Sequence, residues 1–152
     1  MYLQFLILLF GQTLDFNAPH CRQKYLFMKI VIADDSSLMR DRIKILLSSL
    51  NHNSEVFEAE DGVEALQLIE EKEPDLAIID IRMPDMNGIE VLKKVREMKI
   101  KTKICMLTNY PYPQYRKRCL EAGADFFFSK TEDFEKIKTV ITDMLRETVN
   151  PD

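Results

Sequence analysis

From Met28 onward the chain alternates between two patterns. Short apolar runs are each followed by a longer stretch whose apolar residues recur every three or four positions. The runs are residues 28–33, 54–59, 76–79, 103–108 and 126–129. After the first, Ser36 or Ser37 can cap a helix with Met39, Ile43, Leu46, Leu47 and Leu50 on one side. After the second, Asp61 caps a helix with Glu64 as the return arm of a capping box. Val63, Leu66 and Ile69 form its apolar stripe, and Pro74 stops it. A loop with Pro84 and Gly88 leads to a short helix bearing Ile89, Val91, Leu92 and Val95. A fourth helix runs from near Gln114 to just before Gly123. The fifth spans residues 133–147, with Phe134, Ile137, Val140, Ile141 and Met144 turned inward. Residues 76–79 are apolar on both faces, as a parallel strand covered on both sides must be. Strand-then-helix repetition with right-handed crossovers specifies one α/β domain: a doubly wound, five-stranded parallel sheet with five helices.

Composition narrows the function. Of 152 residues, 46% are hydrophobic and 30% charged, the balance of a globular protein. The net charge of −4 argues against direct nucleic-acid binding, which needs a basic stripe. Cys21, Cys105 and Cys119 are odd in number and form no C-x-x-C pair. A disulfide framework or structural zinc is therefore not expected, and a reducing cytoplasm is. Residues 1–27 read differently. Residues 3–10 are nearly all apolar but too few to span a bilayer. No Lys or Arg precedes Arg22, so the pattern of a secretory signal is missing. The segment reads as a mis-assigned start with Met28 as initiator, as a loosely held extension, or as a membrane-surface or partner-docking tail. The folded domain is expected over residues 28–149, with 150–152 a short tail.

Ligands of open parallel α/β sheets bind beyond the carboxyl ends of the strands. The polar residues there are Asp34 and Asp35 after the first run, Asp80 after the third, Thr108 ending the fourth and Lys130 after the fifth. Each residue alone is explained by turn or cap chemistry. Five of them on one rim are not. Carboxylates about 4 Å apart repel by about 4 kcal/mol per pair at an effective dielectric near 20. A cation relieves this, and an all-oxygen donor set without His or Cys favours Mg²⁺. With a lysine and a hydroxyl opposite, the set suits phosphoryl transfer, a carboxylate being the nucleophile.

These segments resemble the receiver domain of two-component response regulators. The resemblance covers residues 28–148. It is carried by Ala33-Asp34-Asp35-Ser36, by Asp80-Ile81-Arg82-Met83-Pro84-Asp85-Met86-Asn87-Gly88, by Leu107-Thr108-Asn109 and by Ala122-Gly123-Ala124-Asp125 leading to Lys130. It implies a CheY-like, flavodoxin-like fold, a Mg²⁺ cofactor and a phosphoacceptor at Asp80. It further implies metal ligation by Asp34, Asp35, Asp80 and the main-chain carbonyl of Arg82. Thr108 and Lys130 would contact the phosphoryl group, and Phe127 would be the switch aromatic. The implied partners are a sensor histidine kinase or histidine phosphotransferase and an unknown downstream protein. The expected role is a cytoplasmic, single-domain response regulator, not an enzyme beyond self-phosphorylation and autodephosphorylation. Met39, Arg40 and Ile43 resemble the kinase-docking surface, though some of those apolar residues must instead be core. Tyr115, Arg116, Lys117 and Arg118 offer an output patch or a solvated helix face.

The chain departs from the family pattern after Lys130, where Thr131 replaces the usual proline that follows a cis peptide. Asn109 stands where a small residue is common, and Tyr110-Pro111-Tyr112-Pro113 stiffens the next loop. Three other readings compete. A phosphohydrolase with an aspartyl-phosphate intermediate would want a carboxylate two residues past Asp80, where Arg82 stands. A nucleotide-binding module would need a glycine-rich loop, but Gly11, Gly62, Gly88 and Gly123 stand alone. A receiver fold acting only as a protein-binding scaffold would not need all five rim residues.

Overall fold

The computed structural model describes residues 27–50 and 52–149. The expectations for residues 1–26 and 150–152 lie outside them. Five strands, β1 (Phe27–Ala33), β2 (Asn53–Ala59), β3 (Leu76–Ile79), β4 (Lys103–Thr108) and β5 (Phe126–Ser129), alternate with five helices. These are α1 (Ser37–Ser48), α2 (Gly62–Lys72), α3 (Gly88–Glu97), α4 (Pro113–Glu121) and α5 (Lys136–Val149). The strands pair in parallel in the order β2-β1-β3-β4-β5.

Successive strand side chains point to opposite faces, and this divides the core in two. Val31, Ala33, Ala77, Ile79, Ile104 and Met106 pack with Ala65 and Ile69 of α2, Leu92 and Val95 of α3 and Cys119 of α4. Ile30, Ile32, Leu76, Ile78, Cys105 and Leu107 pack on the other face with Ile43, Leu46 and Leu47 of α1 and with Ile137 and Ile141 of α5. Burial pushes the Cys105 thiol up and lifts that of Cys119 to about 11. Both are free and buried. Neither should react with iodoacetamide near pH 8 in the folded protein, and both should react in urea. Peptide mapping by mass spectrometry checks this and separates them from Cys21.

Local chemistry sets the helix starts. Ser36 caps α1, its hydroxyl accepting from Met39 N–H. Asp61 caps α2 by accepting from Glu64 N–H at 2.8 Å. The return arm differs from expectation: Glu64 accepts from the N–H of Glu60, not of Asp61. Asn87 and Glu90 form a full capping box on α3.

Three expectations are corrected. Val63 does not face the core: it is 52% exposed, while Gly62, Ala65 and Ile69 are buried and Leu66 is half-buried. The inward stripe of α2 is rotated because Gly62 must face the backbone of Met86. The last helix begins at Lys136, not at 133. Asp133 instead accepts from the N–H of Ser129, and Phe134 is buried in the turn that precedes the helix. Arg40 is not a surface residue of α1 (7% exposed), whereas Ile43 lies in the core as its place in the apolar stripe requires (1% exposed); the exposed apolar residues of the helix are Leu38 and Ile45.

Candidate phosphoacceptor site

Register assembles the site. Ala33 is paired with both Ala59 and Ile79, so the residues that follow, Asp34 and Asp80, emerge side by side. Each strand end is tied to its neighbour by one more hydrogen bond. Asp34 N–H donates to Ala59 O, Asp80 N–H to Ala33 O and Lys130 N–H to Thr108 O. These bonds hold the backbone of the rim rigid before any side chain is considered.

The side chains converge as their positions require. Carboxylate oxygens of Asp34, Asp35 and Asp80 all lie within 4.8 Å of one another. Asp34 and Asp80 are buried and Asp35 is exposed. The ammonium of Lys130, 3% exposed, lies 2.6 Å from Asp34 Oδ2 and 3.0 Å from Asp80 Oδ2. The other oxygen of Asp80 accepts from Ile81 N–H at 2.7 Å. Burial raises the Asp80 carboxyl above its ordinary range, against the pull of Lys130. Burial alone would lower the lysine; its hydrogen bond to Asp34 and the nearby carboxylates outweigh that, so it stays charged. Hard oxygens, one solvent-facing and two buried, in a cluster with a carboxylate surplus of charge, fit Mg²⁺.

Thr108 is fully buried at the end of β4, and its hydroxyl accepts from Tyr110 N–H at 3.1 Å. Phe127 is buried in β5, with the guanidinium of Arg116 5.4 Å from its ring centre. Arg116 also donates to Phe127 O at 3.2 Å, tying α4 to that strand. The side chain of Arg82 stacks on Tyr110, 3.8 Å from the ring centre. Asn109 is exposed beside Thr108.

The turn after Lys130 shows how this chain does without the proline. No peptide is cis among the described residues. The hydroxyl of Ser129 instead takes the N–H groups of Thr131 and Glu132, and Asp133 takes that of Ser129. Arg42 donates to Lys130 O at 3.5 Å while stacking on Phe134. The lysine is thus seated from a serine-centred turn.

Two glycines contribute through backbone contacts that their sequence positions do not display. A Cβ on Gly88 would lie 2.0 Å from Asp80 O, and one on Gly62 would lie 1.9 Å from Met86 O. Both glycines let backbone approach backbone around the loop that follows Asp80. Gly88 closes the segment that carries the family resemblance, whereas the isolation of Gly62 in the sequence signals nothing about this.

Lys130→Met should expose the electrostatic design. With divalent cations chelated, it leaves two buried carboxylates facing each other at a cost of about 3–5 kcal/mol near pH 7. Loss of the cation raises the Asp80 pKa further, so the folded state binds a proton more tightly than the unfolded state. Stability then falls as pH rises through the folded pKa, and the deficit against wild type should shrink towards about pH 5. Urea unfolding at both pH values measures it. A deficit that grows on acidification would contradict the account.

A doubly wound sheet whose strand ends gather three carboxylates, a buried lysine and a buried threonine defines an α/β domain with a carboxylate-rich site at the carboxyl ends of its strands. The family model of the response regulator receiver domain matches residues 30–142, and the chain belongs to that family. It is 40% identical over 113 residues to YhcZ of Bacillus subtilis, described as an uncharacterized transcriptional regulatory protein; the match covers 74% of this chain and 53% of that one. It is 32% identical over 117 residues to the chemotaxis protein CheY of Halobacterium salinarum, covering 77% of this chain and 96% of that one. Among solved structures, the receiver domain of the putative response regulator NarL from Mycobacterium tuberculosis matches with a TM-score of 0.72 and 31% identity, over 78% of this chain and 96% of that one. The chain spans about half the length of the transcriptional regulators it matches. Receiver domains are signalling modules that bind Mg²⁺ at their acidic pocket and interact with histidine kinases and phosphotransfer proteins. No helix among the described residues is long and apolar enough to cross a membrane.

Proposed function

We propose that this chain accepts a phosphoryl group on Asp80 from the phosphohistidine of a sensor histidine kinase or histidine phosphotransferase. It then signals by binding a downstream protein or by passing the group on. The observation that carries this reading is the pairing at Asp80: one oxygen held by Ile81 N–H, the other on Lys130, with Asp34 and Asp35 alongside. An Asp80 oxygen attacks phosphorus, the phosphorus–nitrogen bond of the donor breaks, and its electron pair leaves with the imidazole. Asp34, Asp35, Asp80 and the main-chain carbonyl of Arg82 would hold Mg²⁺. When bound, the ion neutralises the carboxylates and the phosphoryl oxygens.

The chain's own residues do the rest. Lys130 is already 3.0 Å from the accepting carboxylate and pairs with a phosphoryl oxygen. The Thr108 hydroxyl accepts from Tyr110 N–H, so its own proton serves a second phosphoryl oxygen. Phe127, bridged to α4 through Arg116, follows that threonine and carries the change to the face with Tyr115, Lys117 and Arg118. The receiver domain is the signalling unit of this reading, which a match over 96% of the length of a chemotaxis protein CheY supports. It catalyses nothing beyond its own phosphorylation and dephosphorylation. The test is incubation with Mg²⁺ and acetyl phosphate or phosphoramidate, followed by intact mass. One phosphoryl group should add, and chelating Mg²⁺ should prevent it.

A further inference from the structure

Arg40 is a charged side chain buried inside α1, and its partners account for that burial. Nη1 donates to the main-chain carbonyl of Asp34 at 2.8 Å. Nε donates to Glu58 at 3.0 Å and Nη2 to Glu60 at 2.8 Å. The Asp34 carbonyl belongs to the peptide that joins Asp34 to Asp35, two of the three clustered carboxylates. The N–H of Asp34 donates to Ala59 O, and Ala59 lies between Glu58 and Glu60. One planar guanidinium therefore ties both the Asp34–Asp35 peptide and the end of β2, across three acceptors that a lysine ammonium cannot match in geometry.

We infer that Arg40 is a positioning residue for the divalent-cation site: by holding the Asp34 carbonyl it fixes how the Asp34 and Asp35 carboxylates face Asp80. This rests on the reading of the acidic cluster as a Mg²⁺ site. The hydrogen bonds of Arg40 go to Asp34 O, Glu58 and Glu60 and to none of the three clustered carboxylates, so it acts through the peptide. Residues that orient metal ligands in this way typically change metal affinity by about 10–100-fold when replaced.

The experiment is calorimetric titration of Mg²⁺ into the full chain, wild type beside Arg40→Lys, Arg40→Met and Glu58→Gln, with thermal unfolding of each without metal. Arg40→Lys keeps the charge and is the variant expected to stay folded if Arg40→Met does not. Its Kd for Mg²⁺ should rise about tenfold. Glu58→Gln removes an ion pair of the same arginine but leaves the Asp34 carbonyl contact. It should lower the melting temperature while leaving the Mg²⁺ Kd within about twofold. Two results would overturn the inference: Mg²⁺ affinity of Arg40→Lys equal to wild type, or Glu58→Gln weakened as much as Arg40→Lys, which would mark the role as structural only. Failure of the wild type itself to bind Mg²⁺ would remove the cation site and this inference together, and is recognisable because all four proteins would then behave alike.

Discussion

Asp80→Asn is expected to give no phosphoryl adduct under conditions where the wild type gains one. The substitution keeps the shape of a side chain that is 7% exposed and replaces one oxygen by an amide nitrogen. An amide oxygen does not form an acyl phosphate, so the loss should be on the order of a hundredfold or more, limited by detection. The fold should survive. Burial raises the Asp80 carboxyl pKa, so its charged form is less stable folded than unfolded near pH 7. Removing that charge leaves Lys130 on Asp34 at 2.6 Å and relieves the repulsion between the two aspartates. The melting temperature should therefore hold or rise. Intact mass with acid and base treatment, beside a thermal melt, reads both. Phosphate that persists in a well-folded variant would place the phosphoacceptor elsewhere.

Gly88→Ala should be, with Gly62→Ala, among the most damaging single-methyl additions to the described residues outside the strands. The added Cβ would lie 2.0 Å from Asp80 O and 2.9 Å from Asp80 C. Neither atom can retreat cheaply. Asp80 N–H is bonded to Ala33 O, and Gly88 N–H donates to Ile81 O at 2.9 Å, closing the loop on itself. Overpacking of this kind costs about 1–3 kcal/mol where side chains can shift, and more where backbone must. A loss of about 3 kcal/mol or more in urea unfolding is expected, with slower phosphoryl acceptance because the moved backbone carries Asp80. Gly123→Ala is the comparison. Gly123 has φ +96°, and its nearest neighbours are side-chain rather than backbone atoms, those of Arg96 at 3.2–3.4 Å, a side chain that is itself bonded to Gly123 O, Ile100 O, Thr102 O and Asp125. That variant bears backbone strain of about 1–2 kcal/mol and a small displacement of Arg96, both far from Asp80 in sequence, and should accept phosphoryl as wild type does.

The strands and their polar ends were legible because burial on both faces leaves unbroken apolar runs, and a run ends where the chain reaches the rim. Asp34, Asp80, Thr108 and Lys130 stand at the ends of such runs, and the structure brings them together. Helix starts at Ser36 and Asp61 were legible for the same local reason: cap hydrogen bonds span only two or three residues. The errors lie where a residue's surroundings come from far along the chain. Val63 fits a helical stripe, yet its helix is turned by the contact between Gly62 and Met86. Arg40 reads as a surface cation, yet Glu58 of β2, Glu60 just past it and the Asp34 carbonyl just past β1 enclose it.

Pattern and local bonding therefore determined, from the sequence alone, the α/β class, the element order and which residues reach the rim. Tertiary structure decided which glycines admit close backbone, which charge is buried and how the three aspartates face one another. The division has a physical cause. Periodicity and capping act between residues a few positions apart, so the sequence displays them directly. Packing contacts and buried ion pairs join residues such as Lys130 and Asp34, whose proximity exists only once the parallel register of the sheet has been set.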